Sequence, residues 1–257
     1  AITSKPSFDP NKFAAGISSQ NWKALVTDEW HPLQNRSIHG QYPPGSTYKI
    51  VTALAGLEEG VIKPDTSIFC PGHFKLGRGL YRCWKKSGHG FMNLHDALVQ
   101  SCDVYFYTIG HRLGIDTIAK YAKRSGLGRP TRLGLSREKK GLVPTTQWKL
   151  LNKNEPWQLG ETISASIGQG FNLVTPIQQV ILMAAVANGG ILLKPYLVKR
   201  IEGPEGQIQK EFFPEIVGQI GVDPDHLEQV RKALRDVVNS ARGTGKKSRL
   251  KNIIVSG

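Results

Sequence analysis

Between Tyr42 and Gly60 the chain sets two prolines and a glycine, Pro43-Pro44-Gly45, directly ahead of an apolar run, and this junction constrains the fold more than any other segment. Ile50, Val51, Leu54 and Leu57 recur at helical spacing, and Gly60 stands where a glycine closes a helix. Ser46 therefore opens a helix, in a first turn whose N–H groups are unpaired and whose dipole favours developing negative charge. Lys49 lies three residues on, so its amine can return to the same face and reach the serine hydroxyl. A serine at its ordinary pKa is a weak nucleophile, and a lysine desolvated among apolar neighbours is a base able to take its proton. One backbone N–H of the turn is available to an oxyanion. The same spacing also occurs with no chemistry in it, as a capping serine beside a solvated lysine.

Further segments decide between the two readings. Ser101-Cys102-Asp103 follows a short apolar helix pattern, and Ser-x-x-Lys paired with Ser-Asp-Asn and Lys-Thr-Gly is the known signature of penicillin-binding proteins and class A β-lactamases. Residues 42–49 (Tyr-Pro-Pro-Gly-Ser-Thr-Tyr-Lys), Ser101-x-Asp103, the segment 168–176 beginning Gly-Gln-Gly, and Trp84-Lys-Lys-Ser-Gly-His-Gly90 together resemble the transpeptidase domain of class B penicillin-binding proteins, over nearly the whole chain. Within that family the pattern is most similar to the elongation-specific penicillin-binding protein 2 branch. The resemblance implies an α/β fold of the penicillin-binding protein and serine β-lactamase type. By that resemblance the chain would be a largely helical fragment, residues 1–257 forming a partial transpeptidase domain that lacks part of the central antiparallel sheet.

It also implies roles. Ser46 would attack the carbonyl of the penultimate D-alanine of a peptidoglycan stem peptide, Lys49 would take the serine proton, Ser101 would relay a proton to the leaving group, and Asp103 would orient the Lys49 ammonium. The family's second motif commonly reads Ser-x-Asn, and Asp103 in place of the amide adds a carboxylate able to pair with Lys49. β-Lactams would acylate Ser46. A β-lactamase or β-lactam sensor would share Ser46 and Lys49, with acyl-enzyme lifetime as the discriminator; a non-catalytic wall-binding or scaffolding module would fail to be labelled by penicillin at all. No Lys-Thr-Gly follows in order. Residues 253–257 look like the strand running into that motif, Gly243-Thr-Gly-Lys246 is a reversed decoy in a flexible glycine-rich loop, and full activity is not expected of the chain as written. By resemblance the parent would carry a membrane anchor and a pedestal domain upstream, and would sit in the bacterial inner membrane with this part in the periplasm. Its partners would be a membrane-embedded glycosyltransferase and elongation-complex proteins.

With 257 residues and 39% apolar composition the chain is long enough for a core, and no apolar stretch approaches the ~20 residues that span a bilayer. The chain alone reads as soluble. A net charge of +14 raises nucleic acid as a partner. The basic residues are instead scattered through 85–86, 137–140, 194–200 and 246–251 with no aromatic interleaving, which argues against it and for a solvated surface or attraction to anionic lipid or anionic cell-wall precursor.

Along the chain, residues 1–40 read as an edge strand and a polar loop, and 60–90 as an irregular surface excursion rich in glycine. Asn93 with Asp96 caps a helix; further helices cover 104–113 and 116–123, and Thr175-Pro-Ile-Gln178 is a capping box opening another that ends at Asn188. Residues 192–201 and 207–213 read as a hairpin about Gly203 to Gly206, and 227–238 as an amphipathic helix. His31, His39, His95, His111 and His226 show no partner pattern. Trp84, Trp148 and Trp157 flank loops, where aromatic packing is the simpler reading and a cleft wall the other.

Three cysteines, Cys70, Cys83 and Cys102, leave at least one thiol unpaired if any disulfide forms. A Cys70–Cys83 disulfide with Cys102 buried is one reading. The other is a structural zinc held by Cys70, Cys83, His89 and Cys102, with His73 as the alternative fourth ligand, because three thiolates and an imidazole make a closed tetrahedral site and the glycine-rich excursion has little core of its own.

Overall fold

The computed structural model describes residues 2–257. Residues 2–40 contain no strand; they form three short helices, α1 (Asn11–Ala14), α2 (Ser19–Thr27) and α3 (Arg36–His39). The expected edge strand gives way to helices because Ser18 and Asn35 each cap a helix start, accepting from Asn21 N and Ser37 N respectively. A 3-10 turn, Gly45–Tyr48, then runs directly into α4 (Lys49–Glu58). Every residue of α4 from Lys49 to Leu57 is buried. A helix apolar on all sides must be surrounded, and the layers described below enclose it.

The excursion is more ordered than its glycines suggest. It holds β1 (Ile68–Cys70), β2 (His73–Leu76), β3 (Gly79–Arg82) and β4 (Gly90–Met92), with β1 antiparallel to β4 and β2 antiparallel to β3. The expectation of an irregular surface segment is corrected on this point: alternating residues of β2 and β3 bury Phe74 and Tyr81 against Tyr107. Helices α5 (Leu94–Val99), α6 (Asp103–Leu113) and α7 (Ile115–Arg124) follow, with Asn93 Oδ1 accepting from Asp96 N as its spacing predicts. Next come α8 (Thr146–Lys153), α9 (Leu159–Ala165) and α10 (Pro176–Ala187), the last opened by the Thr175/Gln178 capping box.

Beyond α10, β5 (Ile191–Leu193) pairs with β8 (Ile216–Gln219), while β6 (Arg200–Glu202) and β7 (Ile208–Glu211) make the predicted hairpin. The single strand read over 192–201 is thus two, divided by the irregular stretch 194–199. The amphipathic α11 (Pro224–Asn239) buries Leu227, Val230, Ala233 and Leu234. It packs on α4 and α5, and α6 and α7 close the other sides of α4. The expected strand at 253–257 is absent; this segment is held by single bonds, Asn239 Nδ2 to Val255 O at 2.8 Å and Gly257 N to Leu234 O at 2.9 Å.

Two histidines without a sequence pattern have acidic partners from distant segments. His95 Nε2 lies 3.0 Å from Asp236 on α11, and His226 Nδ1 lies 2.6 Å from Glu58 at the end of α4. Both tie α11 to the helices beneath it.

Candidate active site

Ser46 sits inside the 3-10 turn and does not cap a helix. Its position is fixed from below. Gly45 N donates to Gly168 O at 3.0 Å, and a Cβ on Gly168 would lie 2.3 Å from Gly45 O and 2.6 Å from the Tyr48 Cβ. With φ at +73°, Gly168 is the residue that lets the 168–170 turn press against the backbone carrying the serine.

Lys49 begins α4 and is 1% exposed. Its Nζ donates to Asp103 Oδ1 at 2.6 Å, to Ser101 Oγ at 2.9 Å and to Ser101 O at 2.9 Å. Ser101 Oγ in turn donates to Ser46 Oγ at 3.0 Å. Among the described residues no hydrogen bond joins Lys49 Nζ to Ser46 Oγ directly, so the expectation that the lysine reaches the serine is corrected to a relay through Ser101. The helical i+3 spacing brings the two side chains to one face, yet the amine is drawn to the carboxylate and carbonyl behind it.

Ser101 has the left-handed φ of +52°. It follows α5, where Cys102 N donates to Ala97 O at 2.8 Å and closes the helix end. A non-glycine residue there carries strain on the order of 1 kcal/mol or more. That conformation turns both the hydroxyl and the carbonyl of one residue toward Lys49. Asp103 opens α6, where the helix dipole favours its charge.

Trp84 is the residue that the sequence underrated. Its backbone N–H donates to Asp103 Oδ2 at 2.9 Å, and its indole Nε1–H donates to Ser101 O at 3.0 Å and Gln100 O at 3.1 Å. Both Asp103 oxygens are thereby engaged. Trp84 also lines a cavity of about 790 Å³ beside Ser46, Ser101, Asp103, Gln169 and Thr244. Trp148 and Trp157 pack on Phe171 instead. Thr244 belongs to the loop read as a flexible decoy, but the loop is tied down by Thr244 N to Val99 O and Gly245 N to Val237 O. No residue pattern pointed to it, because the bond partners lie on α5 and α11. Glu161 accepts from the buried Lys149 at 2.6 Å and caps its own helix through Gln158 N.

The cysteine cluster adjoins this site. Cys70 ends β1, Cys83 follows β3, His89 precedes β4, and Cys102 immediately precedes α6. All three cysteines are free and buried here, and His73 is exposed on β2 outside the cluster, so His89 and not His73 is the imidazole beside the thiols. The four donor atoms lie within 4.8 Å of one another. His89 Nδ1 is 3.6 Å from Cys70 Sγ and 3.5 Å from Cys83 Sγ. A zinc tetrahedron with Zn–S of about 2.3 Å and Zn–N of about 2.05 Å has an N–S edge of about 3.6 Å, so the donor set fits that ion. A hydrogen bond from Cys102 pushes the Cys83 thiol down to about 5, while the same bond and burial push Cys102 up. The cluster thus shares a proton where a cation would replace it.

The sequence model of the penicillin binding protein transpeptidase domain matches residues 1–257. The peptidoglycan D,D-transpeptidase MrdA of Acinetobacter baumannii is 37% identical over 247 residues, covering 95% of this chain and 37% of the relative. The solved complex of penicillin-binding protein PBP2 with MreC from Helicobacter pylori superposes with a TM-score of 0.88 at 32% identity, over 99% of this chain and 46% of that one. Pseudomonas aeruginosa PBP2 in complex with WCK 5153 gives a TM-score of 0.85 at 38% identity, over 95% of this chain and 53% of that one. The chain spans less than two-fifths of the length of the curated relative it matches.

Proposed function

The chain belongs to the penicillin-binding protein transpeptidase family, and from that premise we propose that it carries the acyl-transfer chemistry of a peptidoglycan D,D-transpeptidase acting in cell-wall elongation. The observation that carries the reading is the unbroken chain Ser46–Ser101–Lys49–Asp103. When the Lys49 amine is neutral the two hydroxyls can reverse their bonds. The proton of Ser46 Oγ then passes to Ser101 Oγ and that of Ser101 to Lys49 Nζ, while Ser46 Oγ bonds to the carbonyl carbon of the penultimate D-alanine. Asp103 stabilises the resulting ammonium. Return of the proton through Ser101 to the departing nitrogen breaks the bond to the terminal D-alanine and leaves an ester on Ser46. The amine of a neighbouring stem attacks this ester, forms the cross-link and restores the serine.

A zinc ion in the Cys70, Cys83, His89, Cys102 cluster would act as a structural cross-link joining β1, β3 and the start of α6. Cys102 stands between Ser101 and Asp103, so that cross-link supports the site from behind. Among the described residues no helix is long and apolar enough to cross a membrane. Placement at the inner membrane with this part in the periplasm, and assembly with a glycosyltransferase and elongation-complex proteins, belong to the same proposal. Assembly with a partner protein is supported by the relative solved with MreC.

The deciding experiment is covalent labelling of the intact protein with a fluorescent penicillin, wild type against Ser46→Ala. The variant should retain its thermal transition and lose all labelling, since the side chain makes one exposed hydrogen bond worth about 1 kcal/mol. Labelling that survives the substitution overturns the assignment. Rapid release of the adduct by hydrolysis would instead identify a β-lactamase, and a stable adduct without cross-linking a sensor.

A further inference from the structure

The hairpin of β6 and β7 stands out from the rest of the molecule. Every residue of both strands is exposed, Ile201 and Ile208 included, and among the described residues neither strand pairs with a third. A two-stranded sheet with both faces in water is marginal, and a free strand edge is a template for another chain. The two edges of this hairpin differ. Ile201 pairs with Lys210 and Glu202 with Ile208, so Gln209 is an extra residue that bulges the edge of β7. The edge of β6 has no such interruption.

The register of the hairpin decides which backbone groups of β6 face outward. Phe212 N donates to Lys199 O and Gly203 N to Gln207 O, both at 2.9 Å, so residues 199 and 203 bond toward β7, and 201 between them does so by alternation. The N–H and C=O of Arg200 and Glu202 are left on the free edge. Their side chains share one face, where Arg200 Nε and Glu202 form an ion pair along the strand. A second β6 laid antiparallel on this edge brings Arg200 opposite Glu202 of the other copy and Glu202 opposite its Arg200, while Ile201 meets Ile201 on the two-fold axis. The four charges then alternate in sign around a square. A slip of two residues sets Arg200 against Arg200 or Glu202 against Glu202, so the charges select one register.

We propose that β6 is a self-pairing edge, through which two copies of this chain associate into a four-stranded antiparallel sheet in the order β7, β6, β6, β7. The occupant of the edge follows from its charge pattern, which is complementary to itself. Such an isologous contact is closed and stops at two copies, with the bulged β7 edges outermost. The contact is small, which places it in the weak class that forms at high local concentration. No residue of the cleft takes part, so the pairing is independent of the acyl-transfer reading.

The test is sedimentation velocity of the intact protein, which should pass from monomer at about 1 µM toward dimer by about 300 µM. In Arg200→Glu or Glu202→Arg alone, like charges face one another across the axis, and the dissociation constant should rise at least about tenfold. The exchange Arg200→Glu/Glu202→Arg rebuilds the alternating square and should restore association. An equimolar mixture of the two single variants, which sets glutamates against arginines, should associate more tightly than either variant alone. These side chains are exposed, so each variant should keep the wild-type thermal transition. Ile201→Cys should cross-link to itself under mild oxidation faster than Ile208→Cys on the bulged strand, with wild type as the control for the three native thiols. A wild type that stays monomeric, a dimer indifferent to both single variants, or a loss that the exchange does not recover overturns the pairing.

Discussion

Trp84 holds Asp103 through its own backbone N–H, at 2.9 Å from Oδ2. A loop residue next to Cys83 thereby bonds the carboxylate that accepts from the Lys49 amine, which joins the cysteine cluster and the Ser46–Ser101–Lys49–Asp103 chain in one assembly. Consequences can be measured at each of its joints.

Lys49→Arg keeps a cation near Asp103 but replaces an amine that can lose its proton with a guanidinium that does not. Penicillin acylation should fall by at least about two orders of magnitude, the usual scale for loss of a general base. Ser101→Ala, which breaks the relay and leaves the amine in place, should show a loss of similar size. A stopped-flow acylation rate near wild type in Ser101→Ala would mean that Lys49 reaches Ser46 directly.

Trp84→Phe retains an aromatic ring and the backbone N–H and removes the indole donor to Ser101 O and Gln100 O. Acylation should slow about five- to tenfold, equivalent to one hydrogen bond. An acylation rate equal to wild type would assign the indole to packing alone.

Purified without chelator, the protein should contain about one zinc per chain, with metal–sulfur distances of ~2.3 Å by X-ray absorption. The sign of its pH dependence follows from the thiols. The bond between the two thiols holds Cys83 low, whereas the same bond and burial hold Cys102 high, so Cys102 must give up its proton when the ion enters. Binding should release protons and zinc should be lost as pH falls. Cys102→Ser should lose the metal and slow acylation without altering Ser46, Lys49, Ser101 or Asp103. Metal-free protein with unchanged stability and acylation would refute the cluster's role.

Gly168→Ala forces a Cβ against Gly45 O and the Tyr48 Cβ at a positive φ. The expected cost is about 2–3 kcal/mol, seen as a lowered thermal midpoint. Because the strain falls on the turn carrying Ser46, acylation should drop as well. Gly170→Ala shares the positive φ but meets only a Ser164 Cβ at 3.6 Å, and should cost less.

Residues close in sequence determined much of this protein by themselves. The helix from Lys49, the Asn93 cap, the Thr175 capping box and the hairpin at residues 203–206 depend on contacts a few positions apart, so spacing and residue type sufficed. The motif residues Ser46, Lys49, Ser101 and Asp103 and the cluster of Cys70, Cys83, His89 and Cys102 were legible for a different reason: their chemistry is restrictive even when their separation is not. Local reasoning failed where the partner was remote. It read a strand into residues 1–40 and another into 253–257, missed the pairing of β1 with β4 across the glycine-rich segment, and left His95 and His226 without their carboxylates. Only the tertiary structure placed Ser101 between Ser46 and Lys49, since that order depends on α5 ending in a left-handed residue and on Asp103 drawing the amine away from the serine. Only packing placed Trp84, Thr244, Arg82 and Lys86 around Ser46, because cleft walls are assembled from segments that no periodicity connects.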